Sequence, residues 1–230
     1  ITGGTEKTKV LFAVNYTDED GMKLASYYKR ANVSLKVNQK IAKNVDISLD
    51  TRYTNTKKMG DEGVRNGSGS VLSSSYRFRP IATENILGDL NAMNEGMIEN
   101  YAKQSQWDRY NPVNRINDNY SPKDYQALRG ILSLNWEIVK GLTYHSDLSL
   151  NQSWNQNKTW TGAIVNSYMD DNTGEILYAG NAELEKSNKW GLRWSNTLNY
   201  DFSLGKAHRF SILAGHEVSD SGGDGLKASG

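Results

Sequence analysis

Residues 44–55 read NVDISLDTRYTN. Val45, Ile47, Leu49, Thr51 and Tyr53 fall on one face of an extended chain, and Asp46, Ser48, Asp50, Arg52 and Thr54 on the other. That is the period of two expected of a strand with one apolar face. The function turns on what the apolar face meets, a protein core in water or lipid.

Six further segments alternate in the same way. With residues 44–55 they predict strands near 7–16, 28–38, 44–55, 128–138, 142–154, 190–202 and 208–217. The segments reach about 13 residues, against a usual ~5–6 for strands of globular proteins. Their connections sort by length. Residues 41–43, Val139-Lys140-Gly141 and Ser203-Leu204-Gly205-Lys206 are tight turns. Between them lie connections of roughly 70 residues (57–127) and roughly 35 residues (155–189), as in outer-membrane barrels with short inner turns and long outer loops. The first connection, 17–27, is intermediate, and the tail from Asp220 to Gly230 reads as one more loop.

The aromatics follow the same division. With the long loops placed outside, Tyr16, Tyr27, Tyr53, Trp154 and Trp190 sit at outer strand ends. Trp136, Tyr144, Tyr200 and Phe202 sit at inner ends, and Val, Ile and Leu fill the middles. Two aromatic girdles around an aliphatic band are the signature of a membrane-spanning barrel wall. The expected fold is therefore all-β: an antiparallel transmembrane β-barrel, present in part, with about seven long strands and two long extracellular loops. Seven strands do not close a bacterial single-chain barrel, so further strands are expected elsewhere.

Composition sets outer bounds. Lys and Arg number 27 against 26 Asp and Glu, a net charge of +1, so no basic field points to nucleic acid. With no cysteine, disulfides, thiolate metal sites and thiol catalysis are excluded. Mean hydropathy is −0.68 and no apolar run is long enough for a membrane helix. No signal-like segment precedes ITGGTEK, which leaves a cytoplasmic protein or an internal piece of a longer chain as the expectations.

Several stretches resemble one family. ITGGTEKTKVLFAVNYTDEDG and YYKRANVSLKVNQKIAKNVDISL are similar to the barrel of SusC/RagA-type TonB-dependent transporters. There a Gly-Gly-Thr-Glu segment (Gly3 to Glu6) leads a strand, an acidic-Gly turn follows (Asp18 to Gly21), and an aromatic-x-Arg-x-Asn strand comes next (Tyr28 to Asn32). LNWEIVKGLTYHSDLSLN and NTLNYDFSLGKAHRFSILAGHE, residues 134–151 and 196–217, resemble later barrel strands, the last most specifically. The resemblance implies an outer-membrane importer of glycans or oligopeptides in Bacteroidetes-type bacteria. It implies a SusD-like surface lipoprotein as lid, TonB coupling through an N-terminal region with a plug domain absent from this chain, and contact with outer-membrane lipid and LPS. The alternative is a soluble carbohydrate-binding β-sandwich or adhesin module. A glycoside hydrolase fragment is a third and weaker reading.

Residues with catalytic potential are few. His208 and His216 stand eight apart, too far to share a metal ion, and His208 is read as structural. Asp46, Asp50, Asp147 and Glu137 are expected on a hydrated polar face rather than as glycosidase carboxylates. DDNTGE, residues 170–175, lacks a calcium-loop register and reads as a turn. No enzyme activity, metal or cofactor is expected. Within the longest loop, Ile86, Leu87, Leu90, Met93, Met97, Ile98 and Tyr101 have the spacing of an amphipathic helix. The candidate substrate-binding residues are loop aromatics: Trp107, Tyr110, Tyr120, Trp160 and Tyr168. Flat rings beside Asn, Asp and Arg suit sugars or peptides. The competing reading is that these rings pack the loops together or hold the lid.

Overall fold

The computed structural model describes residues 1–60, 75–76, 112–162, 168–170, 172–177, 180–205 and 207–230. The strands are β1 (Thr2–Gly4), β2 (Thr8–Asp20), β3 (Tyr27–Ala42), β4 (Val45–Met59), β5 (Asn119–Tyr120), β6 (Pro122–Val139), β7 (Leu142–Thr161), β8 (Tyr168–Met169), β9 (Ile176–Leu177), β10 (Asn181–Leu204) and β11 (His208–Ser229). Among the described residues a short helix, α1 (Pro112–Asp118), leads into β5. All the long strands form one antiparallel meander in the order β1-β2-β3-β4-β6-β7-β10-β11, with β5 beside β7, while β8 and β9 make a separate small hairpin.

The strands run farther than the alternation predicts. β6 begins at Pro122, β7 continues to Thr161, β10 begins at Asn181 and β11 reaches Ser229. The tail expected as a loop is therefore strand: Asp220 to Ser229 pairs with Leu192 back to Glu183. β5 and β6 also share one register across β7, with Tyr120 opposite Trp160 and Lys123 opposite Asn157. They act as one strand interrupted at Ser121-Pro122, where proline has no N–H to give the ladder. The predicted amphipathic helix over Ile86–Tyr101 lies outside the described residues.

Register decides what each face is made of, because paired residues of antiparallel strands project to the same side. One row runs Val10, Val37, Leu49, Leu132, Leu148, Trp194, Val218 without a polar residue. The parallel row one residue away runs Leu11, Lys36, Asp50, Ile131, Ser149, Arg193, Ser219. No second sheet covers the apolar face among the described residues, and Leu132, Leu148 and Trp194 are 46 %, 41 % and 47 % exposed. Such an uncovered apolar face does not fit a sandwich, in which two inner faces interdigitate.

The band has the height of a membrane. Ten residues separate Tyr144 from Trp154 on β7. At ~3.4 Å per residue and a tilt of ~40° this is about 26 Å along the membrane normal, against a band of ~25 Å. Several of the polar side chains on this face pair with a neighbour. Trp194 Nε1 donates to Ser146 Oγ at 3.0 Å, and the Tyr144 hydroxyl donates to Asn196 Oδ1 at 2.6 Å. At the inner rim Tyr200 and Phe202 stack at 5.1 Å, and Phe202 and Phe210 at 5.3 Å.

Tight inner turns join β3 to β4, β6 to β7 and β10 to β11. Gly141 has φ +85°, and a Cβ there would stand 2.3 Å from the Asp201 carbonyl oxygen. That carbonyl sits close because Asp201 N–H donates to the Gly141 carbonyl at 2.7 Å. Gly4, at φ +153°, plays the matching role between β1 and β2, where a Cβ would lie 2.1 Å from the Thr8 carbonyl oxygen. The sheet does not close on itself among the described residues: β11 and the outer half of β2 are free edges. Hydrocarbon tolerates no unpaired backbone edge, so this sheet is part of a barrel wall.

Two substitutions on adjacent residues test the faces. Leu148→Arg, toward lipid, is expected to cost about 2–4 kcal/mol and to reduce assembly into the outer membrane. Ser149→Arg, toward the lumen, is expected to assemble normally, as read by heat-dependent mobility of the membrane-extracted protein. Equal behaviour of the two would refute the assignment of faces. A second expectation concerns the turn: Gly141→Ala, strained at positive φ and clashing with Asp201, lowers the folded fraction in the same assay by about 1 kcal/mol or more.

Candidate functional site

The polar face is a lumenal wall, and several of its charges are paired across strands. Lys36 lies 3.8 Å from Asp50, Arg193 2.5 Å from Glu217 and Lys227 3.0 Å from Glu183. His145 meets Asn135 Oδ1 at 2.6 Å through Nδ1 and Asp147 Oδ2 at 2.9 Å through Nε2. The Thr54 hydroxyl donates to Asn32 Oδ1 at 2.8 Å, and Asn157 donates to Glu185 at 3.1 Å. Asp50 and Asp147 thus sit in a hydrated, paired surface rather than facing one another as an acid and a nucleophile. No group of metal-ligating side chains occurs among the described residues. His208 lies beside Phe210 at the inner rim, with ring centroids 6.4 Å apart.

Above the outer girdle the wall continues into water. Asp18 accepts from the Tyr16 hydroxyl at 3.0 Å and from Lys29 at 3.1 Å. The Lys29 ammonium, helped by the Tyr16 hydroxyl, holds the Asp18 carboxyl below its usual range, and Asp18 in turn raises Lys29. Residues 170 and 172–175 lie in the turn between β8 and β9. Gly174 N–H donates to the Asp170 carbonyl at 2.8 Å and Asn172 N–H to its carboxylate at 2.8 Å.

Of the predicted aromatics, the structure brings two together. Tyr120 and Trp160 are register partners, 49 % and 53 % exposed, at the outer ends of β5 and β7. They line an open cleft of about 450 Å³ together with Lys158, Leu184 and Ala228. Trp160 shares a strand face with Leu148, Leu150 and Trp154, so this pair looks outward, above the membrane band, rather than into the lumen. Tyr168 lies on β8, opposite Leu177. Trp107 and Tyr110 lie outside the described residues.

Two aromatics missed in the sequence do face the lumen. Tyr28 stands opposite Lys58, and Tyr125, 43 % exposed, stands opposite Thr56. Their signal was present in the alternation: each occupies the polar parity of its strand. Strand parity, not loop position, marks them.

An apolar outer band, two girdles, short inner turns and a wet inner face define a section of outer-membrane β-barrel wall. Comparison with known proteins narrows the class. No family model matches the chain. TonB-dependent receptor P3 of Formosa agariphila is 24 % identical over 223 residues, which span 94 % of this chain and 20 % of that protein. The RagAB peptide transporter has a similar fold at TM-score 0.68 and 18 % identity, covering 99 % of this chain and 24 % of that one. BauA, the ferric preacinetobactin receptor of Acinetobacter baumannii, follows at TM-score 0.55 and 10 % identity, over 98 % and 28 % of the two chains. The chain thus spans about a quarter or less of the first of these relatives' lengths. In sequence and fold the chain is similar to a section of a SusC/RagA-like TonB-dependent receptor barrel, a likeness that supports a place in the outer membrane.

Topology within the membrane is open to chemical labelling, because the chain has no cysteine of its own. In whole cells, Trp160→Cys in the parent protein is expected to react with a membrane-impermeant maleimide. Lys140→Cys is expected to react only after the outer membrane is permeabilised. The reverse pattern would invert the barrel and overturn the placement of the loops.

Proposed function

We propose that this chain belongs to a TonB-dependent nutrient importer of glycans or oligopeptides that works with a SusD-like surface lipoprotein. The observation that carries the reading is the lumenal wall itself. A mainly polar face, backed by a mainly apolar one, suits the lining of a wet passage through the membrane. The peptide importer named among the relatives supports import as the task and a peptide as one cargo. Glycan import and the lipoprotein lid rest on the family resemblance of the sequence. Coupling to TonB belongs to the plug-bearing N-terminal region that the same resemblance implies. The relatives are receptors and transporters, which supports a role without catalysis.

Trp107, Tyr110, Tyr120, Trp160 and Tyr168 are the proposed outer contacts to cargo or lid. The outward aim of Tyr120 and Trp160 favours the lid for those two. The test is growth of the source bacterium without the parent gene on single glycans or peptide mixtures as sole nutrient. Growth is expected to fail on one of these classes, to return with the parent gene, and to fail likewise without the partner lipoprotein. Unimpaired growth on every nutrient would sink the import reading.

A further inference from the structure

The geometry points to an anion-binding wall in the outer half of the lumen, centred on Arg52 and Arg129 and fitted to an imported oligomer that carries carboxylates. This inference rests on the import reading. Arg52 and Arg129 are register partners on β4 and β6, so their side chains leave the sheet on the same, lumenal face. Two like charges directly opposite on neighbouring strands disfavour the folded sheet. Among the described residues neither guanidinium has an ion pair or side-chain hydrogen bond, although Lys36, Arg193 and Lys227 on the same face each have a carboxylate. Both arginines are exposed.

The surroundings extend the pattern. Arg30, Lys58 and Lys123 occupy the same face of β3, β4 and β6 farther out, and no carboxylate shares that face of the three strands from Arg52 outward. The next strand, β7, presents Asn151, Asn155 and Asn157 on this face, again with no carboxylate. From Arg52 to Lys58 the wall measures about 20 Å along the strand at ~3.4 Å per residue. Asp46, Asp50, Asp147 and Glu217 lie toward the inner side, and the outer acids of this face, Glu19, Glu183 and Glu185, stand on the flanking strands β2 and β10. Arg52 adjoins Tyr53 of the outer girdle, so along β3, β4, β6 and β7 a molecule entering from outside reaches the cations before the acids. Paired guanidinium forks bind carboxylates in bidentate fashion, the amides of β7 serve hydroxyls or peptide groups, and Tyr28 and Tyr125 offer flat faces between them. This cationic stretch also concentrates anions beside it.

The test uses the full parent transporter, purified, as wild type and as R52Q/R129Q. Four probes are titrated: an oligogalacturonate, its methyl ester, a glutamate-rich pentapeptide and its glutamine counterpart. The wild type is expected to prefer the acidic member of one pair, with a preference that shrinks as salt rises. R52Q/R129Q is expected to lose about tenfold to a hundredfold of that preference, and R52K/R129K to keep part of it. The pair that responds names the source of the carboxylate. Equal binding of acidic and neutral twins, or no binding of either acidic probe, overturns the inference. So does an unchanged preference in R52Q/R129Q; if that variant also melts lower without probe, the arginines hold a segment of the same polypeptide. Loss of these preferences while nutrient uptake still depends on the parent gene would fail this inference alone and leave the import reading standing.

Discussion

In hydrocarbon every backbone N–H and C=O must find its partner inside the protein, and the rest of this structure depends on that requirement. An antiparallel ladder meets it with no side-chain help. The ladder then fixes everything else, because a slip of one residue would move each side chain to the opposite face. Here the register holds without a slip across the full shared length of β10 and β11, from Glu183–Ser229 to Leu204–His208. The shifts fall near the inner turns, between Lys40 and Ala42 and between Glu137 and Val139. A bulge there costs little, since the chain is leaving the membrane and must turn in any case.

This explains how much could be read in the sequence. Within the band, one face sees lipid and the other water, so period-two alternation is strong and the strand cores were found from it. Outside the band both faces are wet, and alternation carries no signal. Asn155 to Thr161, Asn181 to Lys189 and Pro122 to Ala127 are strand in the structure although they read as loop. The tail is the extreme case. Asp220 to Gly225 has glycine, serine and aspartate, all poor strand formers alone, yet it is held by the ladder to β10. Pairing with an ordered neighbour overrides local propensity, and no window of sequence contains both partners.

The candidate site was less legible for a related reason. Loop aromatics stand out in a sequence, whereas Arg52 and Arg129 are 77 positions apart and meet only through the register of β4 and β6. Each arginine alone is an ordinary polar residue of an alternating strand. Their significance lies in being opposite one another and in having no acid of their own. Lys36 and Asp50 show the other outcome at the next lumenal position, where a cation and an acid on neighbouring strands neutralise each other.

The contrast between those two neighbouring rows bears on how the wall works. Exposed ion pairs such as Lys36–Asp50 add ~0–1 kcal/mol each, so the fold gains little from pairing its lumenal charges. Leaving Arg52 and Arg129 without an acid therefore costs the fold little, because water solvates them and the ladder supplies the stability. A barrel wall is in this sense a scaffold whose inner face is free to be set by cargo chemistry. Its outer face has no such freedom: Leu132, Leu148 and Trp194 answer to lipid alone. Specificity can then change on one parity of each strand while assembly stays fixed by the other.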